Sequence, residues 1–182
     1  MSSLANSPKK SDIIIRKATK EDIPKIAEVL TYGFHSFNQW LWWLYPVLKM
    51  GIRDDLSQRT SSPQNEYCCL IAFKERQKII GTIELTVRTS YHWHGKKEYV
   101  YLSNLAVLPN YRRQGIATAL LQKCEEVAIN WGFNSLYLHV LAENETGKTV
   151  YLRNGYSLKQ VDTDLYSLFV VGKRRWLLEK TW

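Results

Sequence analysis

The chain has 182 residues, 45% of them hydrophobic, and its 25 lysines and arginines outnumber its 17 aspartates and glutamates by eight. That length suits one domain with a buried core, expected over 11–182 behind a frayed polar tail at 1–10. No apolar run reaches the eighteen residues of a membrane span, and the tail lacks the apolar stretch of a secretory signal. The basic balance favours polyanions (nucleic acid, anionic lipid, phosphorylated small molecules) without choosing among them.

In chain order, Ile13 to Arg16 reads as a first strand. Thr19 and Asp22 then form a capping-box pattern before a helix whose buried stripe is Ile23, Ile26, Ala27 and Leu30. Thr31 to Lys49 follows, dense in aromatics from Phe34 to Tyr45. Tyr67 to Phe73, Ile79 to Val87 and Lys97 to Val107 read as strands. After Pro109 a helix is expected from about Gly115 to Trp131, with Ile116, Leu120, Cys124, Val127 and Trp131 on one face and Gly132 as its stop. Leu136 to Leu141 is a strand, Glu145 to Asn154 a short helix ending at Gly155, and Ser167 to Lys180 supplies one or two further strands. The order implies a mixed sheet covered by helices, an α/β or α+β domain. Adjacent Cys68 and Cys69 point to opposite faces of their strand, and no CxxC spacing exists. A cysteine-built zinc site is therefore not expected, and a reducing, cytoplasm-like compartment is.

The segment Tyr101 to Thr118 is the most chemically suggestive. Backbone N–H groups at a helix start lack intrahelical partners and carry partial positive charge, which suits phosphate. Gly115 lets the backbone approach an anion closely, and Arg112 and Arg113 add donors. Two rival phosphate motifs fit poorly. A dinucleotide fingerprint needs its glycines directly after the strand and an acidic residue about twenty positions on, where Tyr137 stands. Gly147-Lys148-Thr149 mimics the end of a P-loop, yet Ala142 occupies the required glycine position. A plain solvated helix start remains open on these residues alone.

Tyr111-Arg112-Arg113-Gln114-Gly115-Ile116-Ala117, following Leu105-Ala106-Val107-Leu108-Pro109, resembles the acetyl-CoA signature of the GNAT N-acetyltransferase superfamily. Asn144 followed by Val150-Tyr151-Leu152-Arg153-Asn154-Gly155-Tyr156 is similar to that family's closing element. The resemblance covers roughly residues 12 to 160, strongly after 99. Tyr101-Leu102-Ser103-Asn104-Leu105 with Leu138-His139-Val140 resembles the plastid and cyanobacterial-type members and the protein N-terminal acetyltransferases. It implies a GNAT-like mixed, mostly antiparallel sheet of six to seven strands with about four helices. The plastid stroma is then an alternative setting, for a chain cut from a longer precursor.

The resemblance further implies that two central strands splay apart, and that acetyl-CoA lies along the exposed edge at Leu105, Ala106 and Val107. Its pyrophosphate would sit on the amides of Arg113, Gln114, Gly115, Ile116, Ala117 and Thr118, with Arg112 near, and Asn144 would hold the pantetheine arm. His139 is the expected general base, directly or through water, against the alternative of a hydrogen-bonded core histidine. Tyr101 would orient the amine or relay its proton, or simply pack across strands. Tyr151 matches the family tyrosine that approaches the thiol sulfur, a general acid unless it only packs on the sheet. Glu84, with Thr82 and Thr86, is the alternative base, otherwise an exposed edge glutamate.

No metal is expected. His92-Trp93-His94 offers two imidazoles without further ligands, and a hairpin tip suits it better. The aromatic run Phe34 to Tyr45 would form a substrate- or partner-facing wall, a membrane-interface contact or core. The expected acceptor is a protein or peptide amine, α-amine or lysine. A small-molecule amine is the alternative, and a non-catalytic acyl-CoA or nucleic-acid binder the reading from another class. Nucleic acid is disfavoured because no RNA-binding signature accompanies the charge. A monomer or weak homodimer is expected.

Overall fold

A computed structural model describes residues 13–34, 67–74, 78–92, 95–162 and 174–182. They form β1 (Ile14–Lys17), α1 (Ile23–Phe34), β2 (Tyr67–Lys74), β3 (Lys78–His92), β4 (Gly95–Val107), α2 (Ile116–Asn130), β5 (Ser135–Leu141), α3 (Glu145–Arg153), β6 (Ser157–Asp162) and β7 (Arg175–Thr181). The seven strands make one sheet in the order β1-β2-β3-β4-β5-β7-β6. Every neighbouring pair is antiparallel except β4 with β5. This is the mixed sheet with flanking helices that the sequence implies. Three α-helices fall among the described residues, against the four or so that the resemblance implies; the aromatic segment Thr31 to Lys49 lies outside them beyond Phe34.

Both sheet faces are covered. Alternate residues of β2 explain its unbroken apolar run: Cys68, Leu70 and Ala72 enter one core, Cys69, Ile71 and Phe73 the other. The first core receives α2 through Ile116, Leu120, Leu121, Cys124 and Ala128, the second α1 through Ile23, Ile26, Val29 and Leu30. The buried stripe of α2 is thus broader than predicted, taking in Leu121 and Ala128, while Val127 and Trp131 are only partly buried. At Gly81 a Cβ would lie 3.1 Å from Ile116 Cγ2 and 3.2 Å from the Ala106 carbonyl, so this glycine sets how closely α2 seats on β3.

The capping box forms as the residues predict. Asp22 accepts from the Thr19 backbone N–H at 2.8 Å and the Thr19 hydroxyl at 3.0 Å, opening a 3-10 turn that leads into α1. Arg16 clamps the same carboxylate from β1, at 2.7 and 3.0 Å. Burial pushes the Asp22 carboxyl up, but the hydrogen bonds from Arg16 and Thr19 outweigh it and hold it below its ordinary range.

Two elements differ from the sequence reading. Ser157–Asp162 is a strand that the sequence does not announce. Among the described residues it is an exposed edge paired only with β7, and a register shift between Leu158 and Gln160 breaks the two-residue alternation that would mark it. Glu84 is not an exposed edge residue. It lies on the third strand of seven, fully buried, and accepts from Asn104 Nδ2 at 2.8 Å.

Candidate active site

The site begins with a defect in β4. Opposite β3, Ser103 faces Glu84 but Ala106 faces Thr82, so β4 carries one extra residue. Asn104 absorbs it in the left-handed region, at φ 55°, a conformation Asn tolerates better than most residues. The bulge turns β4 away from β5. Their parallel pairing is confined to Val100 with Leu136 and Tyr101 with Tyr137, whereas β5 stays paired with β7 as far as Leu141. Beyond Tyr101 the two strands diverge, leaving the β4 edge from Ser103 to Val107 without a strand neighbour on that side among the described residues.

At the end of that edge the chain makes the predicted turn. A 3-10 turn over Pro109–Tyr111 leads through Arg113, at φ 62°, to Gly115, at φ 80°, which caps α2. The first paired amide of the helix start is that of Ala119, donating to the Gly115 carbonyl at 2.9 Å. The amides of Ile116, Ala117 and Thr118 are the orphan donors of this helix. A Cβ built on Gly115 would meet nothing within 4 Å. Open space, free amides and the helix dipole fit a pyrophosphate. Arg112 is partly committed, its Nε donating to the Val107 carbonyl at 3.1 Å, and Gln114 Nε2 donates to the Asn110 carbonyl at 3.3 Å. Arg113 is exposed beside them.

Helix α3 closes the far side. Asn144 is its N-cap, Oδ1 accepting from the Gly147 N–H at 2.9 Å. Gly147 is needed there, since a Cβ would fall 2.7 Å from Asn144 Nδ2. The expected pantetheine contact of Asn144 would thus have to come from Nδ2. At the other end Asn154 Nδ2 donates to Thr118 Oγ1 at 3.3 Å and ties α3 to the first turn of α2. Lys148 is buried, paired with Glu145 at 2.6 Å and lying 4.4 Å from the Trp176 ring centroid, which removes the P-loop reading.

At the point where β4 and β5 part, Tyr101 and His139 meet. The Tyr101 hydroxyl lies 2.9 Å from His139 Nδ1, and His139 Nε2 lies 2.7 Å from Asp162 Oδ2. Asp162, on β6, is the residue sequence reasoning missed. It reaches His139 across β7, which enters from the end of the chain. Asp162 Oδ1 in turn accepts from Gln160 Nε2 at 2.7 Å. A carboxylate can only accept, so in neutral His139 the hydrogen sits on Nε2 and Nδ1 accepts a hydrogen bond from the Tyr101 hydroxyl. Both imidazole nitrogens are therefore engaged, and the group this chain offers outward is the Tyr101 oxygen. The His139 and Asp162 side chains are each a quarter exposed, so the chain is open to a proton donor.

Tyr151, on α3, packs against the α2-side core and stacks edge-on with Tyr156 at 5.8 Å. Burial first, and then the nearby Tyr101 and Cys124, push its phenol well above the ordinary range, so it holds its proton. The Ser103 hydroxyl, two residues past Tyr101, is buried without a partner. The thiols are inert by the same logic: burial pushes Cys69 up to about 12 and raises Cys68 and Cys124 too.

Trp93, His94 and the aromatic run beyond Phe34 lie outside the described residues. Among the described residues there is no group of three or more metal-ligating side chains, and no helix is long and apolar enough to cross a membrane. A cavity of about 600 Å³ opens between α1 and the turn, bordered by Lys25, Glu28, Lys78 and Tyr111. It holds none of the Tyr101–His139–Asp162 chain, and the chemistry belongs with the latter.

Comparison with known proteins places this geometry. The chain is 30% identical over 131 residues to GCN5-related N-acetyltransferase 10, chloroplastic, of Arabidopsis thaliana, covering 66% of this chain and 51% of that protein. It thus spans about half the length of that relative. It is 32% identical over 141 residues to streptothricin acetyltransferase A of Bacillus subtilis, covering 78% of this chain and 73% of that protein. In structure it resembles the PaiA N-acetyltransferase of Thermoplasma acidophilum, solved in complex with coenzyme A, with a TM-score of 0.72, 22% identity, and coverage of 94% and 99%. The Acetyltransferase (GNAT) family model matches residues 34–156, a span that holds the bulge, the splay, the turn and α3. The chain belongs to the GNAT family of acetyltransferases.

Proposed function

We propose that this chain moves an acetyl group from acetyl-CoA to a primary amine of a protein or peptide, an N-terminal α-amine or a lysine. The observation that carries the reading is the hydrogen-bond chain Tyr101–His139–Asp162, placed where β4 and β5 part. Acetyl-CoA supplies the acyl thioester. The β4 edge from Ser103 to Val107 offers main-chain groups to the pantetheine arm, and the amides from Arg113 to Thr118 hold the pyrophosphate.

An amine attacks only when neutral. An α-amine, with pKa about 7.7–8.0, is partly neutral at physiological pH, whereas lysine, near 10.4, is almost fully charged. Tyr101 accepts the amine proton on its oxygen while passing its own to His139 Nδ1. Asp162 stabilises the imidazolium that results. The base expected from sequence, His139, thus works through Tyr101 and not by touching the amine. Tyr151, kept protonated by burial, can donate a hydrogen bond to the departing thiolate but is too weak an acid to protonate it, so the thiolate leaves as such and takes its proton from water. Glu84 takes no part in this scheme: it is buried and bonded to Asn104.

A small-molecule acceptor is the second reading, favoured by the similarity to an enzyme named for streptothricin. Mass spectrometry after incubation with acetyl-CoA separates the two. The substrates are peptide pools with free or blocked N-termini and, in parallel, small amines. Acetylated peptides support the protein-acceptor reading; acetylation of small amines alone replaces it with the second. No acetylated amine in any pool contradicts both.

A further inference from the structure

The ring of Tyr101 carries a cation on one face. Arg88, two residues along β3 from the register partner of Tyr101, holds its guanidinium carbon 3.5 Å from that ring's centroid, a close face-on stack. The neighbouring charges are already answered. Glu84 is bonded to Asn104, Asp162 to His139 and Gln160, and Lys159 to Glu179 at 2.9 Å. No carboxylate of the described residues pairs with Arg88. The residue is exposed, so beside the Tyr101 ring it carries donors open to a ligand. A guanidinium fixed by stacking presents a rigid fork, which matches a carboxylate in a way that a mobile surface lysine does not.

We propose that Arg88 selects acceptors carrying a carboxylate close to the amine to be acetylated: in a peptide, an Asp or Glu at the first or second position. This rests on the reading of the site as an amine acetyltransferase. Arg88 binds the acceptor and transfers no proton, so its effect belongs in KM.

The test uses paired peptides differing only in Glu or Gln at the second position, with lysine and its decarboxylated counterpart cadaverine as the small-molecule pair. Initial rates are measured for the wild type, Arg88→Gln and Arg88→Lys. The expected wild-type preference for the acid member of a pair is on the order of tenfold in kcat/KM, carried by KM, from one partly exposed charge-assisted contact. That ratio falls to about one in Arg88→Gln and is partly restored in Arg88→Lys, which keeps the charge but not the fork. Preference in the peptide pair, or in the amino acid pair alone, tells which source of carboxylate is used. Equal rates for acid and neutral partners in the wild type, or a preference that survives Arg88→Gln, overturn the assignment of Arg88. Absence of transfer to every amine overturns the underlying reading, and this inference with it.

Discussion

Replacing Asp162 should have an effect whose order among variants is set by one hydrogen bond. Asp162 Oδ1 accepts from Gln160 Nε2 at 2.7 Å, and Oδ2 faces His139 Nε2 at 2.7 Å. With the Gln160 amide held as it lies, an asparagine put there turns its carbonyl to that amide, so its own NH2 faces His139. Nε2 then has to accept, the imidazole hydrogen moves to Nδ1, and Tyr101 can no longer hand its proton over. Alanine merely removes the carboxylate and leaves the tautomer free. A hydrogen bond to a charged partner contributes about 1.5–3 kcal/mol. With both side chains a quarter exposed, the lower half of that range applies, roughly 13–45-fold in rate. Asp162→Ala should therefore lose about 13–45-fold in kcat, and Asp162→Asn on the order of 100-fold or more, with coenzyme A affinity unchanged. Adding Gln160→Ala to Asp162→Asn frees the amide to turn and should recover part of the loss. Thiol release from acetyl-CoA gives the rates, and calorimetry the affinity. An asparagine variant more active than the alanine variant, or both at wild-type rate, would refute the relay.

Gly115→Glu should abolish coenzyme A binding measured by calorimetry, because a carboxylate enters the open space before the α2 amides. Gly115→Asn, tolerant of the φ of 80°, should bind within several-fold of wild type. Normal binding by the glutamate variant would unseat the turn as the anion site. Asn144→Ala should cost about 1 kcal/mol in urea unfolding. Gly147→Ala should destabilise on its own by evicting the Asn144 side chain, yet stabilise the Asn144→Ala background by up to about 0.8–1 kcal/mol; additive effects would contradict the cap geometry. Arg16→Met should cost about 1–2 kcal/mol at neutral pH, a range discounted because the arginine is 44% exposed. A carboxyl held below its ordinary range stabilises the fold above its unfolded pKa, and this is lost as pH falls through the folded pKa. The gap between variant and wild type should therefore close as pH falls below the ordinary carboxylate range, and a constant gap would show that Asp22 is not the partner that matters.

What was legible in the sequence was local. The capping box at Thr19 and Asp22, the stripes of α1 and α2, the apolar run of β2 and the turn at Gly115 each depend on residues a few positions apart, and each forms where periodicity and turn chemistry place it. What stayed hidden was set by register and strand order. Asn104 looks like any strand residue until its pairing with β3 shows the extra position, and that same bulge explains how Glu84 is buried yet satisfied. Asp162 sits in an edge strand with no apolar alternation, and it meets His139 only because β7 inserts between β5 and β6. Arg88 carries no motif at all; only the cross-strand geometry puts it on the Tyr101 ring.

The proton route is tested most directly at Tyr101. A Tyr101→Phe variant keeps the ring and its packing and removes only the oxygen that would meet the amine. Turnover with an accepted amine, measured beside coenzyme A affinity, should fall by on the order of 10²–10⁴ while affinity stays within about twofold. Wild-type turnover in that variant would contradict the proton route through Tyr101, His139 and Asp162.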